Sequence, residues 1–159
     1  MRRAILGFSY GYRKEDPGES NRRLVQALYQ RHSHLIHLYF ILQHELAACL
    51  PENSRDTTHV IKEHKLVPNA YLDTEEVARQ GIEFALKNGI EKIYLLAHPL
   101  HRTFAWRVAA GMATPHDIEV ETLKTGWIPA DPLSEQWWTR NHLFIIPYAA
   151  GRIFGRKGK

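Results

Sequence analysis

From Tyr71 to Ala110 the chain reads YLDTEEVARQGIEFALKNGIEKIYLLAHPLHRTFAWRVAA, and this stretch decides the fold class. Between Thr74 and Asn88 the residues Val77, Ala78, Gly81, Ile82 and Ala85 recur at helical spacing and form one apolar stripe. Asp73 is placed to cap that helix, with Glu76 three residues on as a capping-box variant that puts acidic charge at the positive helix end. Asn88-Gly89 is the stop signal. Ile93 to Ala97 is a continuous apolar run, as expected of a strand covered on both faces. Pro99 prevents that strand from continuing as a central ladder, and Phe104, Ala105, Trp106, Val108, Ala109 and Met112 predict a second amphipathic helix. Helix, buried strand, sharp turn, helix is a unit of a parallel sheet. Ligands of such sheets bind outside the carboxyl ends of the strands. His98, His101 and Arg102 lie at one of those ends.

Outward from this unit the elements alternate. Arg3 to Ser9 reads as a first strand, Tyr10 to Glu19 as a loop, and Ser20 or Asn21 as the cap of a helix to Arg31. Leu38 to Leu42 is a second buried strand, Glu45 to Leu50 a short helix ended by Pro51, and His59 to Glu63 a weak strand. Ile118 to Leu123 alternates apolar and acidic residues like a half-exposed edge strand. A final helix is expected from Ser134, carrying Trp137, Trp138 and Leu143 to Ile146 and broken by Pro147. The order predicts a single-domain α/β protein spanning residues 1–159, a Rossmann-like three-layer α/β/α sandwich with a mainly parallel sheet.

A chain of 159 residues buries about 68–70% of its unfolded surface without covalent staples. The single cysteine, Cys49, rules out an intrachain disulfide framework and suits a reducing compartment. No apolar run approaches the roughly 20 residues that span a bilayer. Met1-Arg2-Arg3 precedes only a short apolar run, Ala4 to Phe8, unlike a secretory signal, so a cytoplasmic location is expected. The net charge of +4 equals the surplus of Arg152, Arg156, Lys157 and Lys159 in the tail 152–159, which is expected to be flexible. Charge confined to a tail argues against a nucleic-acid face.

Gly7-Phe8-Ser9-Tyr10-Gly11 follows the first strand, where dinucleotide folds keep their glycine fingerprint. It lacks the full spacing, and two readings stand: turn glycines, or backbone amides and the Ser9 hydroxyl touching a ligand. Ten histidines raise the question of a metal, and His98, His101 and His44-Glu45 could converge at the sheet's carboxyl edge, but no paired ligand motif occurs, and no bound metal is expected. Cys49 sits in an apolar run that suggests packing, and no nucleophile elbow is present. His101 with Glu76 forms a candidate acid–base pair, with helix capping as the alternative role of Glu76. Arg102 and Arg107 either hold an anion or lie on a solvated face.

Several of these motifs resemble the YdcF/SanA/ElyC-like α/β family, whose biochemical function is largely unknown. The likeness rests on Leu6-Gly7 at the end of the first strand, and on Arg23-Leu24 with Ala27-Leu28-Tyr29 in the first helix. It continues in Thr74, Glu76 and Ala78 at the central helix start, and in His101 and Ala105 after the fourth strand. The chain departs from the pattern at Val77, where the family has Asn, and at Phe104, where it has Arg, with Arg102 or Arg107 as spatial substitutes. The Ser-Gly-Gly that usually follows the second strand is Gln43-His44-Glu45. The resemblance implies a divergent member with a nucleotide-like or S-adenosylmethionine-type ligand.

The resulting expectation is a small-molecule-binding protein with an anionic or nucleotide-like ligand at the carboxyl edge of the sheet. Gly7, Ser9 and Gly11 approach that ligand by backbone, Thr74 and Glu76 orient it, and His98, His101 and Arg102 face its charge. One alternative is a hydrolase or group-transfer enzyme with His101 as acid–base. Another is an interaction module whose Trp127, Trp137 and Trp138 region binds a protein or forms a homodimer.

Overall fold

The computed structural model describes residues 1–54 and 57–144. Strands β1 (Arg2–Gly7), β2 (Tyr39–Gln43), β3 (Thr58–Ile61), β4 (Ile90–Leu96) and β5 (Glu119–Thr122) form one sheet in the order β3-β2-β1-β4-β5. Every pairing is parallel. The chain builds outward from β1 to β3, then crosses to the other side of β1 for β4 and β5. The strand order therefore reverses beside β1, where open α/β sheets hold their ligands.

Strand pleating sorts the core into two layers. Ala4, Leu6, Ile41, Ile61, Ile93 and Leu95 face helices α3 (Thr74–Lys87) and α4 (Pro99–Ala113). Ile5, Phe40, Leu42 and Leu96 face α1 (Glu19–Arg31) and the short α2 (His44–Ala47), together with Leu123 and Ile128 from the segment after β5. The α/β sandwich is thus the expected Rossmann-like one, with all five strands parallel.

The α3 unit forms as its sequence dictates. Asp73 caps α3, its Oδ1 accepting the Glu76 amide at 2.8 Å, and Gly89 ends the helix with φ of 61°. Helix α4 corrects the expected inner face. Only Ala105, Ala109 and Ala113 are buried, whereas Phe104 and Trp106 are 39% and 40% exposed. The alanine stripe lets the helix lie close to its neighbours, and Trp106 donates from Nε1 to the Val120 carbonyl at 3.1 Å over the edge strand.

Two further expectations are corrected. Ser20 and Asn21 do not cap α1, which begins at Glu19 after Gly18; both are buried and bond elsewhere. The helix expected from Ser134 is absent from the described part of that segment. Residues 134–144 contain only two single-turn 3₁₀ helices, Trp137–Thr139 and His142–Phe144. The reason is polar. Ser134, Gln136 and Thr139 are buried; the Ser134 hydroxyl accepts the amides of Tyr12 and Gln136 and the hydroxyl of Thr139. Ile145, Ile146, Pro147 and the basic tail lie outside the described residues.

Candidate functional site

Three segments meet at the carboxyl edge: the β1–α1 loop, the α3 and α4 starts, and the irregular segment after β5. Asn21 fixes the first, accepting from the Tyr10 amide at 2.9 Å and donating to the carbonyls of Gly11 and Pro17. Asp131 fixes it from the other side. This carboxylate, 1% exposed, takes Arg13 as a bidentate partner at 2.8 and 3.0 Å and accepts the Glu19 and Leu133 amides. Burial alone would raise its pKa, but Arg13 and the two amides outweigh burial and hold it below the usual carboxylate range. The α1 start, where a dinucleotide fold seats phosphate, is therefore filled by the chain's own carboxylate.

Between these segments lies a small cavity of about 50 Å³, lined by Ser9, Tyr10, Gln43, Thr74, His101 and Gln136 among others. Thr74 Oγ1 and His101 Nε2 share a hydrogen bond of 3.1 Å across it, joining the starts of α3 and α4. The hydroxyl of Tyr10 and the Nε2 of Gln136 are buried here without a partner. Burial pushes the Tyr10 phenol up to about 12, so it stays a neutral donor. Tyr71 and Trp138 add aromatic surface to the same lining.

A second, larger cleft of about 430 Å³ adjoins the first and shares Gln43, Tyr71 and Leu72 with it. Its wall includes Lys14, Lys62, His44 and Glu45. Glu45 is 7% exposed, with Oε1 lying 3.3 Å from His44 Nε2 and Oε2 buried without a partner. Loss of solvent raises its pKa, only partly opposed by His44 and by a hydrogen bond from Ser9. Gln43 supports the same corner by accepting the Ser9 amide at 3.1 Å.

The structure thus brings together three of the expected site residues, Ser9, Thr74 and His101. Of the others, Gly7, Gly11, His98 and Glu76 serve the fold. Gly7 faces Leu42 and Leu46, where a Cβ would come within 2.5 and 2.8 Å of their methyls. Gly11 has φ of +74° and leaves room for Ser134 and Thr139 rather than for a ligand. His98 is fully buried, stacked on Tyr10 at 3.8 Å, donating from Nε2 to the Ile128 carbonyl and accepting the Leu100 amide at Nδ1. Burial lowers its pKa to about 4 and keeps it neutral.

Glu76 does not pair with His101. Its carboxylate binds Arg79, Gln80 and the Lys65 amide at 2.6–2.9 Å, and chiefly Arg79 holds its pKa down at about 2. Arg102 lines neither cavity. Cys49 is packed as expected, donating to the Glu45 carbonyl, with burial pushing its thiol up to about 11. The tryptophans divide: Trp138 reaches the cavity lining, whereas Trp127 and Trp137 are 67% and 48% exposed.

Sequence reading missed Tyr10 and Gln136 as site residues, and placed Glu45 at the carboxyl edge only in weighing a metal. Glu45 alone left a signal, an acid at the end of a buried strand immediately before the apolar run Leu46-Ala47-Ala48. Among the described residues no three His, Cys, Asp or Glu side chains gather as a metal ion would require, and no helix is long and apolar enough to cross a membrane. No family model matches the chain, and no curated protein matches it.

Proposed function

We propose that this protein binds a small anionic or nucleotide-like molecule at the carboxyl edge of its sheet, in the two adjoining cavities beside β1. The observation that carries this reading is the pair of buried, unpartnered polar groups, Tyr10 O–H and Gln136 Nε2, next to the Thr74–His101 hydrogen bond. Leaving a buried donor unsatisfied costs about 1–3 kcal/mol, so a fold with no ligand there gains nothing by keeping two of them. Donors suit an oxyanion, and Tyr71 and Trp138 in the lining supply aromatic surface for a planar base. The helix starts contribute little to anion binding, since Asp131, Asp73 and His98 already occupy them.

The same geometry supports a divergent relationship to the YdcF/SanA/ElyC-like proteins, because the matching Thr74 and His101 are the two residues bonded across the cavity. The test is calorimetric titration against nucleotides and S-adenosyl compounds, wild type beside Gln136→Leu and His101→Ala. Each substitution should weaken binding by about 1.5 kcal/mol, roughly tenfold. A panel without any binding, or affinities indifferent to both changes, rules the reading out.

A further inference from the structure

The lobe after β5 is built inside out. From Trp127 to Leu143 the buried side chains, Ile128 apart, are the polar Asp131, Ser134, Gln136 and Thr139, whereas Trp127, Leu133, Trp137 and Leu143 are 48–71% exposed. The segment folds back on itself, so these apolar groups belong to one lobe. The Ala130 amide donates to His142 Nε2 at 3.3 Å, the Trp127 ring lies 4.4 Å from that imidazole, and Arg140 donates to the Ser134 carbonyl. Walling the small cavity requires only the inward polar set. It gives no reason for two tryptophans and two leucines in water, and such a cluster marks a surface that is covered in use. Charge on the lobe is mainly positive. Lys124 and Arg140 are exposed against Glu135 alone, the Arg31 guanidinium lies against Gly126, and Asp131 is buried on Arg13. From Gln136 to Lys159 the sequence has five Lys or Arg and no Asp or Glu.

We propose that this lobe seats the protein on an anionic lipid surface, with Trp127, Leu133, Trp137 and Leu143 entering the headgroup layer and the surrounding cations facing acidic headgroups. The inference is independent of the ligand reading above, since none of these four side chains lines either cavity. Tryptophan prefers the boundary between water and lipid, because its ring is apolar and its N–H polar. Shallow apolar insertion and basic charge are each weak alone, and together they hold a protein at a membrane surface. Both occur here on one stretch of chain, and the missing acids remove the repulsion that an anionic surface would otherwise meet. The lobe's two single 3₁₀ turns and connecting loops suit contact with headgroups and not a span. A protein partner is the poorer match, because lysine is depleted from protein interfaces.

The experiment is sedimentation of the intact protein with vesicles of phosphatidylcholine alone and of phosphatidylcholine with an equal part of phosphatidylglycerol. Partition into the acidic vesicles should be stronger by about tenfold or more at low salt, and should fall as salt is added. Trp127→Ser with Leu143→Ser should reduce it by about tenfold, because the apolar part of the attachment is lost. Both residues are exposed, so the fold should survive the change, and circular dichroism checks that it does. Quenching of wild-type tryptophan fluorescence by brominated lipid in the acidic vesicles reads the same insertion without any variant. No partition into either vesicle, or equal partition into both, overturns the proposal. So does acidic-vesicle binding undiminished in the double variant, which assigns the attraction to basic charge alone. A wild-type dimer that the double variant separates into monomers also overturns it, and gives the lobe to a second copy of the chain.

Discussion

Glu76 at the start of α3 and Glu45 at the start of α2 are both buried at the carboxyl edge of the sheet, 3% and 7% exposed, and they are treated in opposite ways. Glu76 has Arg79, Gln80 and the Lys65 amide on its two oxygens, and its pKa falls to about 2. Glu45 keeps one oxygen unpartnered, and its pKa rises. The first carboxylate straps the loop before α3 to the helix. The second is held in reserve at a cost to the fold. A buried acid with every lone pair answered is a structural element, whereas one left open costs the fold stability.

The most severe way to break this contrast is to remove the strap. Glu76→Ala should cost about 4 kcal/mol, because it leaves Arg79 and a backbone amide facing a vacated, buried site. Urea denaturation measures it, and a loss below about 1 kcal/mol would show that Glu76 is not structural. The pH dependence has a definite sign. A carboxyl lowered from 4.5 to about 2 contributes stability that is complete above pH 4.5 and disappears as the pH falls toward 2.

His98 sharpens the same distinction at higher pH. Its imidazole is fully buried and titrates near 4 instead of 6.5, so the fold resists its protonation. The stability it supports is intact above pH 6.5 and declines between there and pH 4, by about 3 kcal/mol at the low end. An imidazole resonance that titrates near 6.5 in the folded protein contradicts this. His98→Asn should flatten that part of the stability profile while Glu76 still governs the acid end.

Gly11→Ala is next in size, about 2 kcal/mol. It forces a β-carbon into the left-handed region and within 2.6 Å of the Ser134 and Thr139 hydroxyls. A thermal midpoint unchanged from wild type would mean that the loop does not lean on the segment after β5.

The smallest effect has the opposite sign. Glu45→Gln should leave stability unchanged or raise it by up to about 1 kcal/mol at neutral pH, since the fold disfavours the charged form it removes. A raised carboxyl pKa contributes stability below its ordinary titration range and loses it as the pH rises, so the gain should grow with pH. Destabilisation comparable to that of Glu76→Ala would erase the difference between the two glutamates.

Residue spacing made the α3–β4–α4 unit legible because its information is local: apolar periodicity, an N-cap, and a glycine stop within forty residues. The outward faces of Phe104 and Trp106 were not legible, because an alanine stripe and a mixed stripe of larger residues share one helical period. Of the site, Thr74, His101 and Ser9 were recognisable from their positions at strand and helix ends. Tyr10, Gln136 and Thr139 were not. Their burial follows from pairings such as Tyr12 with Ser134, which are polar, isolated and without any repeat along the chain.

Those pairings also set an order in time. The Tyr12 amide and the Ser134 hydroxyl are separated by 122 residues, and Gln136, Trp138 and Thr139 complete the cavity lining. On a chain emerging from the ribosome, all five strands are available once Thr122 has appeared, while the cavity still lacks one of its walls. The sheet can form first. Closing so long a loop is a late and entropically expensive event. The residues that finish the cavity also clamp the β1–α1 loop, so completing the cavity and fixing that loop are the same step of folding.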